Sequence, residues 1–211
     1  MIVISDVALD PYTSTGHDGI VIKNNIDNDE TLKMLQKMSI NLTASGTDIL
    51  APSDMMDGRI GAIRSDLESA GYKDTILLSY SSKFSSNFYG PFREAVGSKK
   101  KKGISKKTYQ MDYRNSTEAL MKAEMDINEG ADLLMVKPAM PNSDIIHSLS
   151  ENYSIPIFAY QVSGEYSMIQ LGIDKKIFDH NVIEESLITL FRAGAKSVLT
   201  YYAKWMAKNY D

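Results

Sequence analysis

The sequence predicts an α/β fold with a parallel sheet, and three observations lead to this prediction. Short apolar runs alternate with segments of helical spacing along the whole chain. The runs are apolar at consecutive positions, which is typical of strands covered on both faces of a sheet. The turns at residues 45–50, 129–134 and 193–198 are alike and contain glycine, which favours a (β/α) barrel over a doubly wound sheet. Periodicity alone leaves both architectures open.

The predicted strands and helices alternate in chain order. Six strands are predicted, at residues 2–4, 49–51, 76–79, 133–136, 157–160 and 198–201. Apolar residues at helical spacing predict helices at residues 31–42, 60–70, 116–128, 144–151 and 183–192. A closed barrel of this kind has eight strands, so the count of six indicates that two are missing.

Four consecutive lysines at positions 99–102 interrupt this alternation, within the stretch 98–107. Adjacent ammonium groups repel one another and prefer water, so an exposed loop is predicted there. The alternative interpretation is a lid that brings positive charge to an anionic substrate.

The composition excludes several classes of protein. The 211 residues are 43% hydrophobic and 24% charged, which predicts one globular domain over residues 1–211. A net charge of −4 does not fit a general nucleic-acid-binding protein. The chain has no cysteine, which excludes disulfides and thiolate metal sites. Without a signal-peptide pattern or an apolar run of about 20 residues, a cytoplasmic protein that does not cross a membrane is expected.

Two lysines follow predicted strands, where a (β/α) barrel places its chemistry. Lys137 directly follows a strand, and Lys83 lies shortly after another. Two ammonium groups in one pocket depress each other's pKa, and a neutral amine can form a Schiff base with a ketone. A single lysine at a strand end more often only extends its charge to water, so the pair favours the catalytic interpretation.

Carboxylates cluster after the first predicted strand, at Asp6, Asp10 and Asp18, with His17 beside them. Such oxygen ligands favour Mg²⁺ over Zn²⁺. The alternative is a loop in which these side chains satisfy nearby backbone groups, and composition alone favours this alternative.

Six stretches of the chain carry a family pattern, at residues 6–19, 51–59, 79–93, 108–111, 129–138 and 160–166. In order and spacing they resemble the delta-aminolevulinic acid dehydratase family, also called porphobilinogen synthase. The resemblance implies a TIM (β/α)₈ barrel, of which this chain holds about the last six strands, in an octamer-like homo-oligomer. It also implies a lyase of tetrapyrrole and heme biosynthesis that condenses two 5-aminolevulinate molecules to porphobilinogen with loss of two waters.

The resemblance also implies roles for individual residues. Lys137 matches the lysine that forms a Schiff base with the first (P-side) substrate, and Lys83 matches the lysine for the second (A-side) substrate. Asp6 matches an acidic residue that assists proton transfer. The implied substrate contacts are Ser53, Tyr160, Ser163 and Tyr201 on the P side, and Arg93, Lys106 and Gln110 on the A side.

This chain departs from the family pattern at three places. Zinc-using members have three cysteines where this chain has Ala8, Asp10 and Asp18, which implies that Asp10 and Asp18 serve magnesium and not zinc. Lys106 stands where the family usually has an arginine, and a lysine cannot make a two-pronged contact with a carboxylate. Lys122 stands where magnesium-stimulated members often have a glutamate that helps to hold an outer cation. The ammonium of a lysine at this position could replace that cation.

Two other interpretations remain open. A Schiff-base aldolase on the same barrel explains one lysine but neither the second lysine nor the Asp-rich loop. A non-catalytic remnant fits the missing third of the family's length, although both lysines are retained. Six strands of an eight-strand barrel leave two open edges, so these 211 residues alone are expected not to form an active, well-folded enzyme.

Overall fold

The computed structural model describes residues 1–95 and 104–209, which form two compact units. The first unit contains residues 1–85 and 104–134, and the second contains residues 86–95 and 135–209. None of the helices in these described ranges has the length and apolar character needed to cross a membrane. The lysines at positions 99–102, which raised the possibility of a lid, lie outside the described residues.

The first unit contains the elements from the N-terminus to α4. In chain order they are β1 (Ile4–Val7), β2 (Ile20–Ile22), β3 (Asn25–Asp27), α1 (Asn28–Ala44), β4 (Ile49–Pro52), α2 (Arg59–Ser69), β5 (Ile76–Lys83) and α4 (Thr117–Asn128). Helix α3 (Gly90–Ala95) lies between β5 and α4 in the chain and belongs to the second unit. Asp27 caps the start of helix α1, because its carboxylate accepts a hydrogen bond from the Glu30 backbone N–H at 3.0 Å. The core of this unit consists of side chains with no solvent exposure, among them Leu35, Ile60, Ile63, Leu67, Leu77 and Leu78.

The second unit contains α3 (Gly90–Ala95) and the elements after β6 (Leu133–Lys137), a strand whose first two residues belong to the first unit. The later elements are α5 (Ser143–Asn152), β7 (Ile157–Tyr160), α6 (Ser163–Asp174), α7 (Asn181–Arg192), β8 (Ser197–Leu199) and α8 (Ala203–Asn209). One core cluster of this unit packs α6 against α7 and is formed by Ile169, Ile173, Ile183, Leu187 and Tyr202.

The six predicted strands are present as β1, β4, β5, β6, β7 and β8, and their order in the sheet is their order in the chain. The pairs β1–β4, β4–β5 and β7–β8 are parallel. The prediction of an α/β fold with a parallel sheet is therefore confirmed. The main shift is in β1, which begins where its predicted range ends and therefore includes Asp6 within the strand.

A two-stranded antiparallel hairpin, β2–β3, was not predicted. Its connecting residues, Lys23 and Asn24, both have positive φ angles, of 48° and 62°. Two such residues between strands are the geometry of the tight hairpin turn that matches strand twist. The strands of this hairpin have only three residues each, too few to produce a recognisable period in the sequence.

A buried ionic cluster connects three elements of the first unit, α2, β5 and α4. The guanidinium of Arg59, at the start of α2, donates to Ser79 Oγ at 3.1 Å and to the Tyr80 carbonyl at 3.2 Å. The same group lies 3.5 Å from carboxylate oxygens of both Asp54 and Asp126. Arg59, Asp54 and Asp126 have no solvent exposure, so these charges depend on one another for compensation.

Candidate functional site

Lys83 lies at the end of β5 in a closed polar environment within the first unit. The side chain is nearly buried, and its ammonium donates a hydrogen bond to the Ser53 carbonyl, which follows β4. The Lys83 Nζ is also 3.6 Å from Asp18 Oδ1. Lys83 therefore lies with Asp18 and with Ser53, which contributes its backbone oxygen and was predicted on the P side, with Lys137.

Asp18 is held between two lysines. Its second carboxylate oxygen, Oδ2, accepts a hydrogen bond from Lys106 Nζ at 3.1 Å. Burial opposes ionisation of Asp18, but the adjacent ammonium groups of Lys83 and Lys106 outweigh it and hold the pKa of Asp18 below its ordinary value. Asp18 therefore carries a negative charge that compensates two lysines, and Lys106 contacts this carboxylate.

Tyr109 and His17 close the environment of Asp18. The Tyr109 hydroxyl lies 3.1 Å from His17 Nδ1 and accepts from the Asp18 backbone N–H at 3.4 Å. Burial, and then the charge of Asp18, raise the pKa of Tyr109, which keeps the phenol protonated. Burial and the nearby Lys106 lower the pKa of His17, so a neutral imidazole is favoured. Neither group is placed to carry a charge of its own at neutral pH.

Asp10 and Asp6 lie near Asp18 and its two lysine partners but form no ion pair with these lysines among the described residues. Burial raises the pKa of Asp10, with Asp18 and Asp6 adding to the effect and Lys106 and Lys83 opposing it. Asp6 is exposed within β1, and among the described residues of the first unit it makes no hydrogen bond or ion pair with Lys83. Its predicted part in proton transfer stays a prediction.

The predicted magnesium site at Asp10 and Asp18 does not fit the side chains found there. In the described ranges no three Asp, Glu or His side chains form a group that could hold a metal ion. Both oxygens of Asp18 already face ammonium groups, and a divalent cation would have to displace or repel them. The charge balance of this cluster is therefore provided by lysines.

Gln110 is also buried in the first unit, and its side-chain oxygen has no hydrogen-bond partner within the described residues. A buried acceptor without a partner is costly unless a bound molecule satisfies it. This observation supports the predicted role of Gln110 in substrate binding, which stays a prediction.

Lys137 lies at the end of β6 in the second unit, among aromatic rings. Its Nζ is 4.4 Å from the centre of the Tyr160 ring and 5.5 Å from that of Tyr89. The Tyr89 hydroxyl donates to the Lys137 carbonyl at 3.1 Å, which fixes the ring against the end of the strand. The Arg93 guanidinium lies 5.2 Å from the same Tyr89 ring. Ring faces stabilise a cation such as an ammonium or an iminium.

Ser163 connects the start of α6 to the segment 88–92, which includes the start of α3, within the same unit. Its hydroxyl accepts from the Phe92 backbone N–H at 3.1 Å and donates to the Phe88 carbonyl at 3.4 Å. At Gly164 a side-chain carbon would lie 2.4 Å from the Phe88 carbonyl oxygen, so only glycine permits this approach. Ser163 thus fixes the segment that carries Tyr89 and Arg93.

Tyr201, the remaining predicted contact, is 47% exposed. Its ring packs against Tyr166 at 5.3 Å between centres. No hydrogen bond or ring contact between Tyr201 and Lys137 occurs among the described residues, so the predicted role of Tyr201 rests on the resemblance alone.

Sequence reasoning assigned no role to Tyr89, Tyr109 or Glu165, although all three occur within the quoted stretches 79–93, 108–111 and 160–166. The available signal was their position inside those stretches. The contacts of Tyr109 with His17 and of Tyr89 with Lys137 join residues distant along the chain, so no local period or spacing indicates these two tyrosines. Glu165 lies three residues after Val162 at the start of a helix, a local spacing that indicates a helix cap and not a role in the site.

Comparison with known proteins gives consistent matches over almost the whole chain. The family model described as delta-aminolevulinic acid dehydratase matches residues 1–209. The delta-aminolevulinic acid dehydratase of Rhodobacter capsulatus is 50% identical over 207 residues, which is 98% of this chain and 62% of that protein. The enzyme of that name from Methanothermus sociabilis is 50% identical over 203 residues, which is 96% of this chain and 63% of that protein.

A solved structure is also similar. The crystal structure of delta-aminolevulinic acid dehydratase (porphobilinogen synthase) from Toxoplasma gondii ME49, in complex with the reaction product porphobilinogen, has a TM-score of 0.96 and 48% identity. The match covers 99% of this chain and 60% of that chain. This chain therefore spans about three fifths of the length of these similar proteins.

Proposed function

The chain belongs to the delta-aminolevulinic acid dehydratase family, and we propose that the protein condenses two 5-aminolevulinate molecules to porphobilinogen with loss of two waters. The observation that carries this proposal is that two lysines from the family stretches each end a strand in an environment suited to a cation. Lys83 has a carboxylate at 3.6 Å, and Lys137 has aromatic rings at 4.4 and 5.5 Å.

The chemistry assigned to each lysine is Schiff-base formation. The neutral amine attacks the ketone carbon of 5-aminolevulinate, a carbon–nitrogen double bond forms, and the carbonyl oxygen leaves as water after proton transfer. The resulting iminium is a cation that withdraws electrons from the neighbouring carbon. A carboxylate beside Lys83 and ring faces beside Lys137 stabilise such a cation where it forms.

The groups around the two lysines support different parts of the proposed reaction. Asp18 balances the charge of Lys83 and Lys106, and the unpartnered oxygen of Gln110 offers an acceptor to an ammonium or hydroxyl group of a bound molecule. Arg93 is proposed to attract a substrate carboxylate. The six-stranded sheet is proposed to be part of an eight-stranded TIM barrel, and the homo-oligomeric assembly and cytoplasmic location stay predictions.

The proposed function is tested by incubating the purified protein with 5-aminolevulinate and analysing the product by mass spectrometry and by the colour reaction for pyrroles. Porphobilinogen, which equals two substrate molecules less two waters, is the expected product. A Schiff-base aldolase would give an aldol adduct that loses no second water, and this result would overturn the proposal. A non-catalytic protein would give no product and no borohydride adduct at Lys83 or Lys137. Because these 211 residues alone are expected to be inactive, absence of product overturns the proposal only together with absence of both adducts.

Divalent cations are expected to have little effect on this activity. Because Asp18 is already paired with two ammonium groups, removing metal with a chelator or adding Mg²⁺ should change the rate by less than about twofold. Activity is measured after chelation and after return of Mg²⁺ or Zn²⁺, with metal content followed by mass spectrometry. Stoichiometric binding of either ion together with recovery of a lost activity would contradict this expectation.

A further inference from the structure

We propose that Glu165 is a positioning residue for Lys137, an inference that rests on the proposed Schiff-base role of that lysine. Glu165 lies in the first turn of α6 and has no solvent exposure. Each of its carboxylate oxygens accepts a hydrogen bond from a different loop. Oε1 accepts from the Met140 backbone N–H at 2.6 Å, and Oε2 accepts from the Val162 backbone N–H at 2.5 Å.

The two loops held by Glu165 are those that continue from the strands carrying the site. Met140 is three residues after Lys137, and Val162 is two residues after Tyr160. The Ala139 backbone N–H donates to the Tyr160 carbonyl at 3.0 Å, which is a direct bond between the same loops. Glu165 adds a second connection beyond this bond, so the separation of the two strand ends is fixed at two points.

This connection determines the position of the Lys137 amine relative to the Tyr160 ring. The amine lies 4.4 Å from the ring centre, and both residues are the last of their strands. A change in the separation of the two backbones would require the Lys137 side chain to change its conformation, and the amine would then approach the ring, and a bound ketone, in a different geometry. A displacement of about 1 Å can lower a reaction rate about 100-fold.

The connection made by Glu165 requires a side chain in which both terminal atoms accept hydrogen bonds. An ionised carboxylate accepts at both oxygens, whereas a protonated carboxyl or an amide directs a donor toward one of the two N–H groups. Burial raises the pKa of Glu165 to about 7, and the N–H groups of Val162, Met140 and Ala139 oppose this rise. In the described part of the chain, no charged side chain contributes to the shift.

The test compares Glu165→Gln with the matched control Glu185→Gln, which changes an exposed glutamate of α7. Each protein is mixed with 5-aminolevulinate and borohydride, and the rates of adduct formation at Lys137 and Lys83 are measured by peptide mass mapping. In Glu165→Gln the rate at Lys137 should fall about 10- to 100-fold, and the rate at Lys83, in the other unit, should stay within about twofold. Glu165→Asp, which keeps two acceptor oxygens, should recover part of the loss.

The outcomes separate this inference from the proposed function. Absence of an adduct at Lys137 in the unaltered protein would overturn both. Adducts at both lysines that Glu165→Gln leaves unchanged, or lowers equally, would overturn the positioning role alone. If Glu165→Gln does not fold, Glu165→Asp carries the test in the same assay: its adduct rate at Lys137 should fall relative to its rate at Lys83, and an unchanged ratio would overturn the inference.

Discussion

Replacing Lys137 with alanine will lower porphobilinogen formation by about 10⁴-fold or more, as expected when a covalent nucleophile is removed. The remaining contacts can still bind 5-aminolevulinate, but none supplies an amine at the end of β6. Without an iminium at this position, no other group withdraws electrons from the neighbouring substrate carbon. Tyr160 and Tyr89, which surround the amine at 4.4 and 5.5 Å, cannot form a carbon–nitrogen bond.

The Lys137→Ala experiment has a matched control in the same unit. Lys175 is exposed at the end of α6, so Lys175→Ala removes an ammonium group without changing the site. Product formation is followed under saturating substrate, and borohydride trapping identifies the labelled lysine in each protein. Turnover by Lys137→Ala within tenfold of the control, or a label found only at other lysines, would contradict the assignment.

The sequence predicted the order of the strands because buried parallel strands have a strong local signal. Continuous apolar runs identified β4, β5, β6 and β7 within a few residues, and the lysines that end β5 and β6 followed from them. Strand β1 extends three residues beyond its predicted range, because Ser5 and Asp6 interrupt the apolar run although both pair with β4. Asp6 therefore lies within a strand and not beyond its end.

The function predicted for Asp18 differed from its contacts because those contacts join distant residues. A carboxylate in a loop rich in aspartate is typical of a cation site, and nothing near it in the sequence indicates a lysine partner. Lys83 and Lys106 approach it from 65 and 88 residues further along the chain. The sequence therefore predicted that Asp18 lies beside a positive charge. It did not predict that lysine side chains supply this charge in place of a metal ion.

Arg59→Met is expected to destabilise the first unit by about 3–5 kcal/mol, because it leaves a buried carboxylate without its cation. Asp54 lies 3.5 Å from Arg59 Nε, and the Asp54 Oδ2 atom has no hydrogen-bond partner in the described ranges. Asp126 keeps its ion pair with Lys122 at 2.9 Å, so Asp54 is the group most affected. Arg114→Met, which breaks an exposed pair with Asp112, is the control and should have little effect.

The loss caused by Arg59→Met should also depend on pH. Burial raises the pKa of Asp54 to about 6 although Arg59 lowers it. Between its ordinary value of 3.8 and about 6 the folded protein binds more protons than the unfolded chain, so stability falls as the pH rises through this range. Removing Arg59 raises the pKa of Asp54 further and extends this range upward, so the deficit relative to the unaltered protein should be larger at a pH of about 8 than at about 5.

Urea unfolding at both pH values, with a probe of the first unit such as hydrogen exchange in β4 and β5, measures this deficit. Arg59→Lys keeps a positive charge but loses the geometry that reaches Ser79 and the Tyr80 carbonyl, so its deficit should be smaller and should depend less on pH. An equal deficit at both pH values would indicate that Arg59 contributes packing alone. A deficit no larger than that of Arg114→Met would show that Asp54 does not depend on this guanidinium.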